Sequence, residues 1–156
     1  MNPLRKIYCR TFQKVFHIAI PFLPYRKPKI VGSVSELPDI IRRHKCSRVL
    51  IITDQGIMKL GLTKRLEKAL NRAEIPYTLY DRTVANPTTV NVAEALELYI
   101  QDGCDAIIGF GGGSSMDCAK AVGARAVKPN QSLARMKGIL KVHKRLPLLM
   151  AVPTTA

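Results

Sequence analysis

Residues 106–120, AIIGFGGGSSMDCAK, constrain the fold of this chain more than any other stretch. An apolar, β-like run from Ala106 to Phe110 enters three consecutive glycines, Gly111 to Gly113, and a helix-forming segment follows from Ser115 to about Val127. A strand, a glycine turn and a helix start in direct succession make an anion site. Glycine lets the backbone approach an oxyanion closely and take positive φ. The first N–H groups of the helix lack intrahelical partners, and the helix dipole favours negative charge there. Ser114 is expected to cap this helix, because Ser114-x-x-Asp117 fits a capping box. A tight turn with no ligand is the competing reading of the same residues.

The chain on either side sets this unit in a repeating pattern. Arg48 to Thr53 (RVLIIT) is a continuous apolar run of the kind that a parallel sheet buries on both faces. Pro76 to Tyr80 reads as a second strand, Ala106 to Phe110 as the third and Leu148 to Val152 as the fourth. Between them the pattern predicts one or two helices over 57–73, broken near Gly61. A further helix is capped by Thr88 or Thr89 and runs to about Asp102, with Val92, Leu96, Tyr99 and Ile100 toward the core. A short helix is expected from Gln131 to about Gly138. Ahead of the first strand, Ile30 and Val31 could start a short strand. Ser33-x-x-Glu36 is a capping box for a helix from Val34 to about His44, with Pro38 tolerated in its first turn. Strands alternating with helices imply right-handed βαβ crossovers and an α/β fold, a Rossmann-like open parallel sheet flanked by helices. Residues 4–20 form a separate basic amphipathic helix that Pro21 and Pro24 stop. The chain therefore reads as an N-terminal helix and linker, 1–28, and a nucleotide-binding domain, 29–156.

Charge narrows the partners. There are 25 Lys and Arg residues against 11 Asp and Glu, a formal charge of +14. Of the basic residues, 11 fall in residues 1–48, where Glu36 and Asp39 are the only acids. No nucleic-acid module signature accompanies this bias, so nucleic acid is not expected as a partner. The helix over 4–20 is expected to pack on the protein or across a subunit interface, with membrane-surface contact as the less favoured reading. No apolar run is long enough to span a membrane. Cys9, Cys46, Cys104 and Cys118 are scattered and suit reduced thiols, which implies a cytoplasmic setting.

In an open parallel sheet, ligands bind beyond the carboxyl ends of the strands. Four polar positions fall there: Asp54 after the first strand, Asn86 after the second, Gly113-Ser114 after the third, and Thr154-Thr155 after the fourth. Their order is not that of the usual dinucleotide fingerprint, in which the glycines follow the first strand and an acid comes about 20 residues later. With GGGSSMDCAK, the Asp54 of LIITDQGI, the Asn86 of VANPTTVN and the final AVPTTA, the chain from Lys29 onward resembles the iron-containing (group III) alcohol dehydrogenases.

The resemblance implies roles residue by residue. Asp54 matches the family's acid near the adenosine ribose, which favours NAD over NADP; a helix N-cap is the alternative. Asn86 matches a polar contact in the NPT loop, with an Asx turn as the alternative. Gly112, Gly113, Ser114, Ser115, Met116 and Asp117 match the pyrophosphate-to-nicotinamide stretch, although Asp117 could equally serve the helix dipole or pair with Lys120. Thr154 and Thr155 match further cofactor contacts. The resemblance also implies small alcohol or aldehyde substrates, a homodimer at full length, and Fe2+ or Zn2+ held by one Asp and three His of a following helical domain. His17, His44 and His143 do not match those ligands. The chain is thus expected to be the amino-terminal, cofactor-binding portion of such an enzyme, inactive alone. Two alternatives stand beside this reading. One is the nucleotide half of a dehydroquinate synthase-like or maleylacetate reductase-like enzyme. The other is a non-catalytic nucleotide- or membrane-binding module.

Overall fold

The computed structural model describes residues 10, 11, 13, 14, 28–138 and 141–154. The chain divides into two compact units, Met1–Val31 and Gly32–Ala156. In the first unit, Arg10, Thr11, Gln13 and Lys14 are helical and exposed, while the rest of the helix expected over 4–20 lies outside the described residues. Ile30 and Val31 form no strand, and Ile30 is 91% exposed. A strand needs a hydrogen-bonded neighbour, and these two residues have none among the described residues.

The second unit follows the expected alternation. A 3-10 turn, Val34–Glu36, leads into α1, Leu37–Arg43. Ser33 and Glu36 form both arms of the capping box, and Pro38 sits where its missing N–H costs nothing. Then come β1 (Val49–Ile52), α2 (Gln55–Lys59), α3 (Lys64–Arg72), β2 (Tyr77–Tyr80), α4 (Thr89–Gln101), β3 (Ala106–Gly111), α5 (Gly113–Val127), the short α6 (Leu133–Met136) and β4 (Leu148–Pro153). Gly61, at φ +65°, breaks the segment between α2 and α3 where the sequence places the break.

All four strands are parallel, in the order β2-β1-β3-β4. The register pairs Val49 with Tyr77 on one side and with Ala106 on the other, and Ala106 with Leu148. The connection from β1 to β2 runs one way along the sheet, and that from β2 to β3 returns past β1. Right-handed crossovers then place α3 on one face and α4 and α5 on the other. The packing agrees. Leu50, Ile52 and Ile107 share a buried cluster with Val92, Ala95 and Leu96 of α4 and Cys118, Ala119 and Val122 of α5. The intervening Val49, Ile51 and Ile108 point to the opposite face and are equally buried. On that side Ile41 of α1 and Leu66 and Leu70 of α3 are buried as well. β1 and β3 are therefore covered on both faces, as their unbroken apolar runs require.

One expected core residue is not in the core. Ile100 is 64% exposed. Val92, Ala95, Leu96 and Tyr99 define the buried stripe of α4, and at 3.6 residues per turn Ile100 lies about 90° from its centre. The described cysteines, Cys46, Cys104 and Cys118, are free, and burial pushes each thiol's pKa up, away from the reactive thiolate.

Burial also raises two phenols. Tyr80, 1% exposed, and Tyr99 are both pushed up from 10.0 to about 12. A group whose folded pKa is raised stabilises fully below its unfolded pKa and loses that contribution as pH climbs to the folded value. By the same rule the three thiols, raised from 9.0, start the loss near pH 9, and the phenols carry it on between about 10 and 12. Denaturant midpoints across that range check this, and a shallower fall above pH 10 in the Tyr80→Phe/Tyr99→Phe double variant would assign that part to these phenols.

Candidate functional site

β3 ends on Gly111, whose φ of +135° only glycine adopts without strain. A Cβ there would sit 2.9 Å from Ser115 Oγ. Gly112 follows in an extended conformation as the N-cap, and α5 begins at Gly113. No side chain among the described residues caps this helix. The expectation of a Ser114 cap is corrected on that point. Gly111 turns the chain so early that the cap position falls on Gly112, and Ser114 is already inside the first turn. Asp117 is too far along to reach back; its Oδ1 instead accepts from Lys120 Nζ at 3.0 Å, and both side chains are exposed. A Cβ built on Gly112 or Gly113 would meet nothing within 4 Å. Among the described residues the leading amides of this 15-residue helix have no side-chain acceptor.

Neighbouring elements converge on this turn. Asp54 follows β1, and because β1 lies beside β3 its carboxylate comes next to the glycines. Its Oδ1 accepts from the Ile57 N–H at 3.0 Å and so caps α2. Its Oδ2 accepts from Ser115 Oγ at 3.5 Å, and Ser115 is 1% exposed. One carboxylate therefore both caps α2 and reaches the start of α5. Asn86 sits at φ +56°, a region that Asn tolerates better than most residues, and its N–H donates to Ser114 Oγ at 3.4 Å. The Thr154 N–H donates to the Gly111 carbonyl at 3.1 Å, which ties the end of β4 to the turn. Thr155 lies outside the described residues. Met116 is half-buried, with its Cα 3.1 Å from where a Gly109 Cβ would stand.

The loop carrying Asn86 is fastened by one amide side chain. Asn91, 8% exposed, accepts through Oδ1 from the Thr88 N–H at 3.1 Å. Its Nδ2 donates to the Arg82 carbonyl at 2.9 Å and to Tyr80 Oη at 3.0 Å. Tyr80 in turn donates to Glu94 Oε2 at 2.8 Å, and Arg82 Nη2 lies 3.6 Å from the same oxygen. Both ends of the 82–88 loop are thereby held to α4.

The space between these parts is a cleft of about 630 Å³. Its walls are the β1–α2 turn from Asp54 to Gly56, the loop from Asp81 to Ala85, and Gly112 to Ser114. It opens where the chain leaves β1 and β3 in opposite directions, the switch point at which open α/β sheets take ligands. Sequence reasoning missed Gln55, Gly56 and the 81–85 loop as lining. Asp81 and Arg82 follow the second strand directly, so the strand-end rule that singled out Asp54 applies to them as well. Thr83 contributes a buried hydroxyl with no hydrogen-bond partner among the described residues. No group of three His, Cys, Asp or Glu among the described residues could hold a metal ion. No helix among them is long and apolar enough to cross a membrane.

Comparison with known proteins shows the family and the fold. The pattern described as "Iron-containing alcohol dehydrogenase" matches residues 29–156. Alcohol dehydrogenase 4 of Schizosaccharomyces pombe is 35% identical over 125 residues, which are 80% of this chain and 29% of that protein. The NADH-dependent butanol dehydrogenase A of Thermotoga maritima superposes with a TM-score of 0.75 at 28% identity, over 86% of this chain and 35% of that one. Sulfoacetaldehyde reductase of Bifidobacterium kashiwanohense, solved in complex with NAD+, superposes at 0.64 with 25% identity, over 80% of this chain and 32% of that one. The chain spans about a third of the length of these relatives.

Proposed function

This chain belongs to the iron-containing alcohol dehydrogenase family, and from that premise we propose that residues 29–156 hold the NAD cofactor of a dehydrogenase acting on small alcohols or aldehydes. The observation that carries the proposal is the uncapped N-terminus of α5 opening into the 630 Å³ cleft at the switch point of the sheet.

The residues present fit a dinucleotide. A Cβ at Gly112 or Gly113 would meet nothing within 4 Å among the described residues, which favours close approach of a diphosphate. The amides of Gly113, Ser114 and Ser115 then meet the diphosphate at the positive end of the helix dipole. Asp54 Oδ2 accepts from a ribose hydroxyl, and its charge disfavours a 2′-phosphate. Asn86 holds Ser114 in place, and Met116, Asp117 and Thr154 would add further contacts to the cofactor. When bound, the cofactor would carry the hydride that the family's chemistry exchanges with an alcohol or carbonyl carbon. Among the described residues no group of three His, Cys, Asp or Glu could hold a metal ion, and the role proposed for these residues is cofactor binding alone.

Asp54→Asn separates the carboxylate's two roles, because Asn caps helices about as well as Asp. The variant is expected to keep its denaturation midpoint, to bind NADH about tenfold more weakly, as a lost charged hydrogen bond of about 1.5 kcal/mol implies, and to discriminate less against NADPH. Isothermal titration with both cofactors checks this. An unchanged NADH-to-NADPH ratio would remove Asp54 from the ribose site.

A further inference from the structure

A second concave site lies away from the cofactor cleft, between α1 and α3. It is a groove of about 510 Å³ bordered by Arg42 of α1 and by Arg65, Lys68 and Arg72 of α3. Asp39 is the one carboxylate in its lining. The three cations of α3 recur at steps of three and four residues, which sets them on one stripe about 10 Å long. All four cations are exposed. Arg42 Nη2 donates to the Ala73 carbonyl at 2.6 Å, which fixes one guanidinium across the groove. Among the described residues no carboxylate lies within ion-pair distance of any of the four. Four like charges held this close repel one another, and a partner's negative charge relieves that repulsion.

We propose that this groove docks an acidic polypeptide segment of a partner. Two features choose that partner over other anions. The donors are long side chains spread along a helix, with no glycine in the lining to let a backbone close on a compact anion, so the site suits negative charge distributed along a chain more than one compact phosphate. The lining contains no aromatic ring on which a base could stack, and its apolar part is Pro38, Ala69 and Ala73, small enough for a peptide's stems to lie against. The whole chain's charge of +14 adds long-range attraction for an acidic partner.

The test uses the full chain and a fluorescently labelled peptide with glutamates at three- and four-residue steps. Its binding is followed by anisotropy beside a single-stranded DNA oligonucleotide and phosphatidylserine vesicles. Arg65→Glu/Arg72→Glu reverses two groove charges. Lys137→Glu/Lys144→Glu makes the same change in net charge at exposed sites outside the groove. The expected result is peptide binding that weakens with salt, falls about tenfold or more in the groove variant and less than about threefold in the control. Circular dichroism of both variants should show an unchanged fold, since the altered residues are exposed. Equal loss in both variants would reduce the effect to net charge, and no peptide binding at all would remove the site. Groove-dependent binding of DNA or vesicles in place of the peptide would overturn the choice of partner. None of these outcomes depends on NADH, so failure here and failure of the cofactor reading are distinguishable.

Discussion

Gly109→Val is expected to lower the stability of this chain by about 3 kcal/mol, near the upper end for overpacking a close contact. The reason is the seat of α5 on β3. A Cβ at Gly109 would stand 3.0 Å from the Ala119 Cβ, 3.1 Å from the Met116 Cα and 3.3 Å from the Ser115 carbonyl. These atoms belong to the helix backbone or are bonded directly to it, so no flexible side chain can swing aside. The helix itself must lift from the central strand, and valine adds two more methyl groups to the collision. Urea denaturation measures the loss. The same displacement would move the amides of Gly113 to Ser115, so NADH binding should fall with stability. Gly112→Ala is the informative contrast. Nothing lies within 4 Å of its added methyl, so stability should change by less than about 0.5 kcal/mol while the close approach of a diphosphate is hindered. A Gly109→Val protein as stable as the parent would mean that α5 does not sit on β3 as described.

Asn91→Leu is expected to cost about 2–3 kcal/mol and to weaken NADH binding more than a surface change could. Leucine fills the buried volume but has no polar atoms. It leaves the Arg82 carbonyl and the Thr88 N–H without the partners they have at 2.9 and 3.1 Å, and removes the donor to Tyr80. An unsatisfied buried group costs about 1–3 kcal/mol, and half of the α4 capping box is lost with it. Asn91→Asp keeps the acceptor for Thr88 and loses the donor, so it should fall between the two. Hydrogen exchange at the amides of residues 82–88 distinguishes a loosened loop from a general loss of stability. Protection in that loop no lower than in the rest of the domain would show that Asn91 does not hold it.

Much of this was legible in the sequence, and the reasons differ by element. The runs VLII and AIIGF read as buried parallel strands because nothing polar interrupts them. The turn after β3 was readable from three glycines in a row. Strand order was not legible. Nothing local to β2 says that it lies outside β1, so the neighbouring of Asp54 and Gly111 could be inferred only from the resemblance. The helix start was misplaced because capping rules favour a serine, and they do not register that Gly111 had already turned the chain. The 81–85 lining was missed because Asp81, Arg82 and Thr83 match no motif, and Asn91 because a polar residue within a helix pattern reads as surface. Ile100 shows the limit of periodicity at a stripe's edge, where a small angular error turns core into surface.

The central claim is that a dinucleotide's diphosphate meets the first amides of α5. Titrating the 15N-labelled chain with NADH and following backbone amide resonances tests it most directly. The account predicts that Gly112, Gly113, Ser114 and Ser115 shift together and saturably, accompanied by Asp54 and Asn86. Saturable shifts confined to other surfaces, with those four amides unmoved, would contradict it.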